Sequence, residues 1–160
     1  MLNRRAIFHE AEMLWQQERD FTLLLLDADH FKQINDTHGH TAGDEVLRHL
    51  AYIVRGALRE DDRLGRVGGE EVLIVFPDST RDEVLTVASR IRRCLSDQPC
   101  RLDALTLPVT FSMGMAAAQE VTSLQALIDM ADRRLYRAKS AGRDQLVMCD
   151  LESIGPAAMS

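Results

Sequence analysis

The chain of 160 residues is long enough for one ordinary domain and short for two. Its 28% charged and 46% hydrophobic residues suit a globular domain with a real core. No apolar run approaches the roughly 20 residues that cross a bilayer, and the formal charge of −6 argues against a general binder of DNA or RNA. No signal peptide is expected, because Met1-Leu2-Asn3-Arg4-Arg5 is not followed by an apolar stretch. Cys94, Cys100 and Cys149 are odd in number and match no C-x-x-C spacing, so free thiols and a cytoplasmic location are expected. Of the 19 cations only Lys32 and Lys139 are lysines.

Ile7, Ala11, Leu14 and Trp15 predict a helix over residues 3–18. The apolar run 21–26 is too short for a helix and suits a central strand covered on both faces. Thr41-Ala42-Gly43-Asp44 has the form of a capping box and predicts a second helix, with Val46, Leu47, Leu50, Val54, Ala57 and Leu58 as its stripe. Residues 64–67 and 72–76 read as strands joined at Gly68-Gly69, a hairpin. Thr80-Arg81-Asp82-Glu83 opens a third helix carrying Val84, Val87, Ala88, Ile91 and Leu95. A strand over 107–117 and a helix over 122–140, stopped by Gly142, follow. Residues 145–148 are expected as a last edge strand and 153–160 as a loose tail. This order predicts an α/β (α+β) fold with a mixed sheet, flanking helices and the hairpin near its middle. One domain over 1–150 and a tail over 151–160 are expected. No glycine-rich turn follows the first strand, which excludes a Rossmann site.

The first strand ends in Leu26-Asp27-Ala28-Asp29, where alternation sends both acids to one side. An acidic turn is one reading; a ligand site at the strand end is the other. Arg66-Val67-Gly68-Gly69-Glu70-Glu71-Val72 adds two flexible residues and adjacent carboxylates. Two glycines tolerate positive φ and close approach of a ligand. Adjacent carboxylates repel, and a divalent cation with hard oxygen ligands relieves that repulsion. Oxygen donors point to Mg²⁺ or Mn²⁺ rather than zinc, and Mg²⁺ is typically shared with substrate phosphates, which predicts a nucleoside triphosphate substrate. Lys32 and Lys139 are candidates for its phosphates, against the plainer reading of two surface lysines.

Asp27-Ala28-Asp29-His30-Phe31-Lys32-Gln33-Ile34-Asn35-Asp36, Gly39-His40, Gly43-Asp44 and Arg66-Val67-Gly68-Gly69-Glu70-Glu71 together resemble the GGDEF family of diguanylate cyclases. Leu135-Tyr136-Arg137-Ala138-Lys139 and Gly142-Arg143-Asp144 resemble its C-terminal signature, and the resemblance runs over residues 2–148. It implies a palm-like nucleotide cyclase fold. The implied reaction condenses two GTP into cyclic di-GMP and two pyrophosphates, with two Mg²⁺ (or Mn²⁺) per active site, across a homodimer. By position, Asp27, the carbonyl of Ala28, Glu70 and Glu71 are implied as metal ligands. Glu70 is also a candidate proton acceptor, with water as the alternative. Asn35 and Asp44 are implied to read guanine with Leu47 lining the pocket, and an Asp facing guanine N1–H and N2–H₂ would select GTP over ATP. Asp44 could also serve as a helix cap. Lys32, Lys139 and Arg143 are implied at the β- and γ-phosphates, with backbone N–H groups of His30 and Phe31, and Gly68 and Gly69 beside the substrate. Lys32 would also stabilise the departing pyrophosphate.

Arg59-Glu60-Asp61-Asp62 is the one R-x-x-D in the chain. With Arg90 it resembles the family's product-inhibition site, which implies feedback by cyclic di-GMP. Two departures stand out: Val72 replaces the usual phenylalanine, and only Leu2-Asn3-Arg4-Arg5 remains of the family's opening element. Altered packing is expected from the first, and an upstream sensory or dimerising domain, able to anchor the full-length protein to a membrane, from the second. His38-Gly39-His40 lacks the further ligands of a zinc site. His9 and His49 are expected on helix surfaces. The rival reading is a non-catalytic GGDEF module that binds GTP or cyclic di-GMP and reports to a partner.

Overall fold

Side-chain alternation along the first strand sets the layout. The computed structural model describes residues 1–150 and the backbone of residues 153–154. β1 (Phe21–Ala28) is buried along its whole length. Leu24, Leu26 and Ala28 join one apolar core and Phe21, Leu23 and Leu25 a second, as a strand covered on both faces requires. β3 (Glu71–Pro77) and β6 (Phe111–Ala117) flank β1, both antiparallel to it. β2 (Arg63–Arg66) lies outside β3, and β7 (Leu146–Val147) runs parallel to β6 with β8 (Ser153–Ile154) beyond it. The sheet order is β2-β3-β1-β6-β7-β8. The hairpin therefore lies against β1 through β3, with β2 on the rim. Leu2 pins that rim: its N–H donates to Leu64 O at 2.8 Å and its carbonyl accepts from Arg66 N–H at 2.9 Å.

α1 (Arg4–Gln16) and α5 (Leu124–Ser140) cover one face through Ile7, Leu14, Leu127 and Leu135; α3 (His40–Ala57) and α4 (Arg81–Asp97) cover the other through Val46, Leu50, Val84 and Ile91. The expected capping box at Thr80 is present, with Glu83 N–H donating to Thr80 Oγ1 and Thr80 N–H to Glu83 Oε2. The box expected at Thr41 is not. α3 begins at His40 with Gly39 as its N-cap and no side-chain cap, so Asp44 lies inside the helix and caps nothing. A short helix that the sequence reading passed over, α2 (Phe31–His38), ends at the same glycine. Gly39 takes φ +89° and turns one helix directly into the next, so no capping loop is needed.

The expected strand 107–117 is interrupted at Pro108, which cannot donate to a ladder. Its first residue, Leu107, ends a separate hairpin of β4 (Cys100–Leu102) and β5 (Leu105–Leu107), which the sequence did not suggest. The segment expected as an edge strand is inner, between β6 and β8. Of the expected tail, Ser153–Ile154 forms β8; residues 151–152 and 155–160 lie outside the described residues. Among the described residues no helix is long and apolar enough to cross a membrane, and Cys94, Cys100 and Cys149 are in no disulfide.

Candidate active site

The odd-numbered side chains of β1 face α5, so Asp27 is delivered to the face that carries Lys139 in that helix's last turn. Register places Asp27 opposite Glu71 of β3. Asp27 is 3% exposed; its Oδ2 meets Lys139 Nζ at 2.7 Å, and its Oδ1 is buried with no hydrogen-bond partner. Burial raises the Asp27 carboxyl above its ordinary range, against the pull of Lys139, and Glu70 and Asp29 add repulsion. Glu71 is raised as well, first by burial and then by the charge of Asp27. One lysine thus leaves this carboxylate cluster short of positive charge. Asp29 does not join it: its carboxylate turns to β6, where Thr110 and Ser112 donate to it.

Glu70 sits in the hairpin turn, and its carbonyl accepts from Ala28 N–H at 3.4 Å, which ties the turn to the end of β1. Neither Gly68 nor Gly69 uses the positive φ that glycine tolerates. A Cβ on Gly68 would lie 3.2 Å from that of Glu71, whereas Gly69 faces open space. Arg66 holds the turn instead, donating from Nε to the carbonyls of Gly68 and Gly69 and from Nη2 to Gly69. That role was not read from the sequence.

After β1 the chain turns through His30 at φ +56° into α2. His30 makes no side-chain cap, so the first N–H groups of α2 stay open to a ligand; Lys32 is exposed in the same turn. Asn35, one helical turn on, is half-buried, and its Oδ1 is buried without a partner. Gly43 of α3 makes room for it: a Cβ there would come within 2.0 Å of Asn35 Oδ1 and 2.8 Å of Phe31 Cζ. Asp44 follows on the exposed side of α3, while Leu47 is buried. Asn35 and the Gly43-Asp44 turn of α3 are therefore adjacent.

α5 ends in a Schellman arrangement, with Arg143 N–H donating to Ala138 O at 3.0 Å and Gly142 N–H to Lys139 O at 3.4 Å. Gly142 takes φ +118°, as the helix stop expected of it requires. Arg143 is exposed immediately beyond Lys139.

Arg59 and Asp62 pair just beyond the end of α3, and Arg90 of α4 reaches the last residue of α3. Arg59 N–H donates to Asp62 Oδ2 at 2.8 Å, its guanidinium lies 3.7 Å from Asp62 Oδ1 and donates to Ser79, and Arg90 donates to the carbonyl of Ala57. Arg90 also lines a cavity of about 700 Å³ with Arg48, Tyr52 and Arg55.

The donor set fits a divalent cation: the unpartnered Asp27 oxygen and the raised Asp27 and Glu71 carboxyls are groups that a cation would satisfy. Among the described residues no three His, Cys, Asp or Glu side chains are arranged to hold a metal alone. A backbone carbonyl and substrate phosphates would complete the coordination.

The family model described as diguanylate cyclase, GGDEF domain, matches residues 1–145. Diguanylate cyclase DgcP of Pseudomonas aeruginosa is 39% identical over 127 residues, covering 79% of this chain and 19% of that protein. The GGDEF domain of DgcB from Caulobacter crescentus, solved in complex with c-di-GMP, superposes with a TM-score of 0.82 at 29% identity, covering 91% of this chain and 90% of that one. The active GGEEF domain of a diguanylate cyclase from Vibrio cholerae does so with a TM-score of 0.82 at 26% identity, over 94% and 99% of the two chains. The chain belongs to the GGDEF-domain family of diguanylate cyclases. It spans between 19% and 42% of the length of the curated relatives that head the comparison.

Proposed function

We propose that this chain is a catalytic domain that joins two GTP into cyclic di-GMP with release of two pyrophosphates. The observation that carries the reading is the pairing of Asp27 with Glu71 in register, with one Asp27 oxygen buried and unpartnered beside Lys139. Asp27, the Ala28 carbonyl, Glu70 and Glu71 would hold Mg²⁺ or Mn²⁺, two per site. When bound, the metal supplies Lewis-acid activation of a ribose 3′-hydroxyl and neutralises phosphate charge. Lys32, Lys139 and Arg143, with the open N–H groups of His30 and Phe31, hold the β- and γ-phosphates and orient the α-phosphate for in-line attack. Lys139 then exchanges its carboxylate partner for a phosphate. Asp44 accepts from guanine N1–H and N2–H₂ while Asn35 reads the neighbouring edge. Adenine lacks those donors, so ATP is discriminated against.

The chain carries one such set, so two chains face each other during the reaction. The c-di-GMP bound to the Caulobacter domain supports the product assigned here, and the Vibrio domain supports a glutamate at the third motif position. A second c-di-GMP site is proposed at Arg59, Asp62 and Arg90, where guanidinium groups can stack on guanine or fork to phosphate. A non-catalytic receptor is less well supported, because each acid and base of the proposed site is in place. Incubation with GTP and Mg²⁺ or Mn²⁺, followed by mass spectrometry, tests the function: cyclic di-GMP is expected, and its absence even from an artificially dimerised fusion would contradict it.

A further inference from the structure

Asp29, an acid that the proposed reaction leaves unused, is buried and accepts three hydrogen bonds. Asp29 is 4% exposed. Thr110 Oγ1 donates to its Oδ2 at 2.7 Å, Ser112 Oγ to its Oδ1 at 2.6 Å, and the backbone N–H of Asp144 to its Oδ2 at 3.0 Å. Its own N–H donates to Thr110 O at 2.9 Å. Main chain and side chain therefore fasten the end of β1 to β6, and the third side-chain bond crosses to the segment after α5.

That segment is unusual. Gly142, Arg143 and Asp144 take φ of +118°, +65° and +46° in succession. Two non-glycine residues in the left-handed region persist only where their surroundings over-determine them. The Schellman bonds fix Gly142 and Arg143 from one side, and Gln145 Nε2 donates to Arg143 O at 3.1 Å. Asp144 is fixed from the other: its N–H by Asp29, its carboxylate by Arg92 of α4, whose Nε donates at 3.0 Å. On its opposite flank Asp29 precedes His30, the left-handed residue at φ +56° that admits the chain to α2. One buried carboxylate thus joins two left-handed turns, one leading to the open end of α2 and the other carrying Arg143.

We propose that Asp29 is a positioning residue that sets the distance between Arg143 and the first turn of α2, and so the spacing of the two sides of the triphosphate site. The proposal rests on the reading of that site as GTP-binding. Asp29 touches no substrate; it acts through the backbone of Asp144. Its replacement by Ala leaves two hydroxyls and one half-buried N–H without this acceptor and releases the 142–144 segment. Asn keeps most of the pattern, because its carbonyl oxygen can accept from Thr110 and Asp144 while its amide donates to the Ser112 hydroxyl.

Calorimetric binding of a non-hydrolysable GTP analogue with Mg²⁺, measured for the wild type, Asp29→Ala, Arg143→Ala and the double variant, tests this. Each single variant is expected to weaken binding by about tenfold, with Arg143→Ala adding less than about twofold once Asp29 is gone. Asp29→Asn is expected to bind at least about threefold more tightly than Asp29→Ala. Hydrogen exchange should show the Asp144 amide losing protection in Asp29→Ala and keeping it in Asp29→Asn, while β1 and β3 stay protected. Additive losses, an Asp144 amide still protected in Asp29→Ala, or no rescue by Asn would each overturn the proposal. If Arg143→Ala alone leaves binding unchanged, the ligand role of Arg143 falls, and exchange at Asp144 alone then decides for or against the clamp. Should Asp29→Ala fail to fold, Thr110→Val takes its place in the cycle, with the same coupling to Arg143 expected at about threefold.

Discussion

Gly43 shows how one missing methyl group shapes a site. A Cβ there would strike Asn35 Oδ1, at 2.0 Å, before any backbone atom. Gly43→Ala also gains helix propensity of about 1 kcal/mol, because glycine is a poor helix former. The two effects fall on different measurements. The thermal midpoint is expected to stay within a few degrees, while affinity for GTP drops about tenfold or more as Asn35 is pushed aside. Calorimetry beside thermal melting checks this, and full GTP affinity would remove Asn35 from the base-reading role. Asp27, Glu70 and Lys32 stood out as candidates in the sequence because carboxylates and lysines next to apolar strands are conspicuous as letters, whereas Asn35 was implied only by the family resemblance. The clearance at Gly43, the Arg66 staple and the clamp at Asp29 were not legible, because each depends on which atoms of distant elements meet.

At the scale of elements, α5 must lie close to the sheet for Lys139 to reach Asp27. Gly114 of β6 permits that approach: a Cβ there would be 2.3 Å from Ala131 O and 2.4 Å from Leu135 N, and backbone atoms cannot move aside cheaply. Gly114→Ala is expected to cost about 1–3 kcal/mol, lowering the thermal midpoint by several degrees and weakening GTP binding with it; an unchanged midpoint would show that α5 can shift freely. Arg134, 2% exposed, anchors the same helix, donating to Met115 O at 2.7 Å and to Glu120 at 3.0 and 2.9 Å. Burial alone would raise the Glu120 carboxyl, but bonds from Arg134 and the Ala117 N–H outweigh it and hold the group below its ordinary range. A depressed folded value means that this stability is present above the unfolded pKa of about 4.3 and is lost as pH falls through the lower folded value. The midpoint is therefore expected to decline on acidification below about pH 4, with a shallower decline in Glu120→Gln. Equal slopes in melts across that range would contradict the assignment. Element types were mostly readable from periodicity. α2 escaped because its apolar contacts, Phe31 and Ile34, span a single turn, and the start of α3 was misplaced because Gly39 replaced the expected capping loop.

For the molecule as a whole, the mixed sheet followed from alternating helical and strand patterns, and the two cores from a first strand apolar on both faces. Which side chains the two faces bring together was not readable that way. Asp27 and Lys139 lie on the α5 side, whereas Arg59 pairs with Asp62 just beyond α3 and Arg90 of α4 donates to Ala57 at the end of α3. The Arg59–Asp62 pair shares no residue with the proposed reaction site. Arg59→Ala is accordingly expected to raise the cyclic di-GMP concentration needed for half-inhibition about tenfold while leaving the initial rate intact; an unchanged inhibition curve would remove the second site. On the proposed function, the Asp27 end of β1 makes cyclic di-GMP from GTP. Its most direct test is the yield of cyclic di-GMP from enforced dimers of the wild type and of Asp27→Asn, measured by mass spectrometry with GTP and Mg²⁺. The expected result is product from the wild type and a loss of about a thousandfold or more in the variant at an unchanged melting temperature; an inert wild type, or a variant that still turns over freely, would contradict the account.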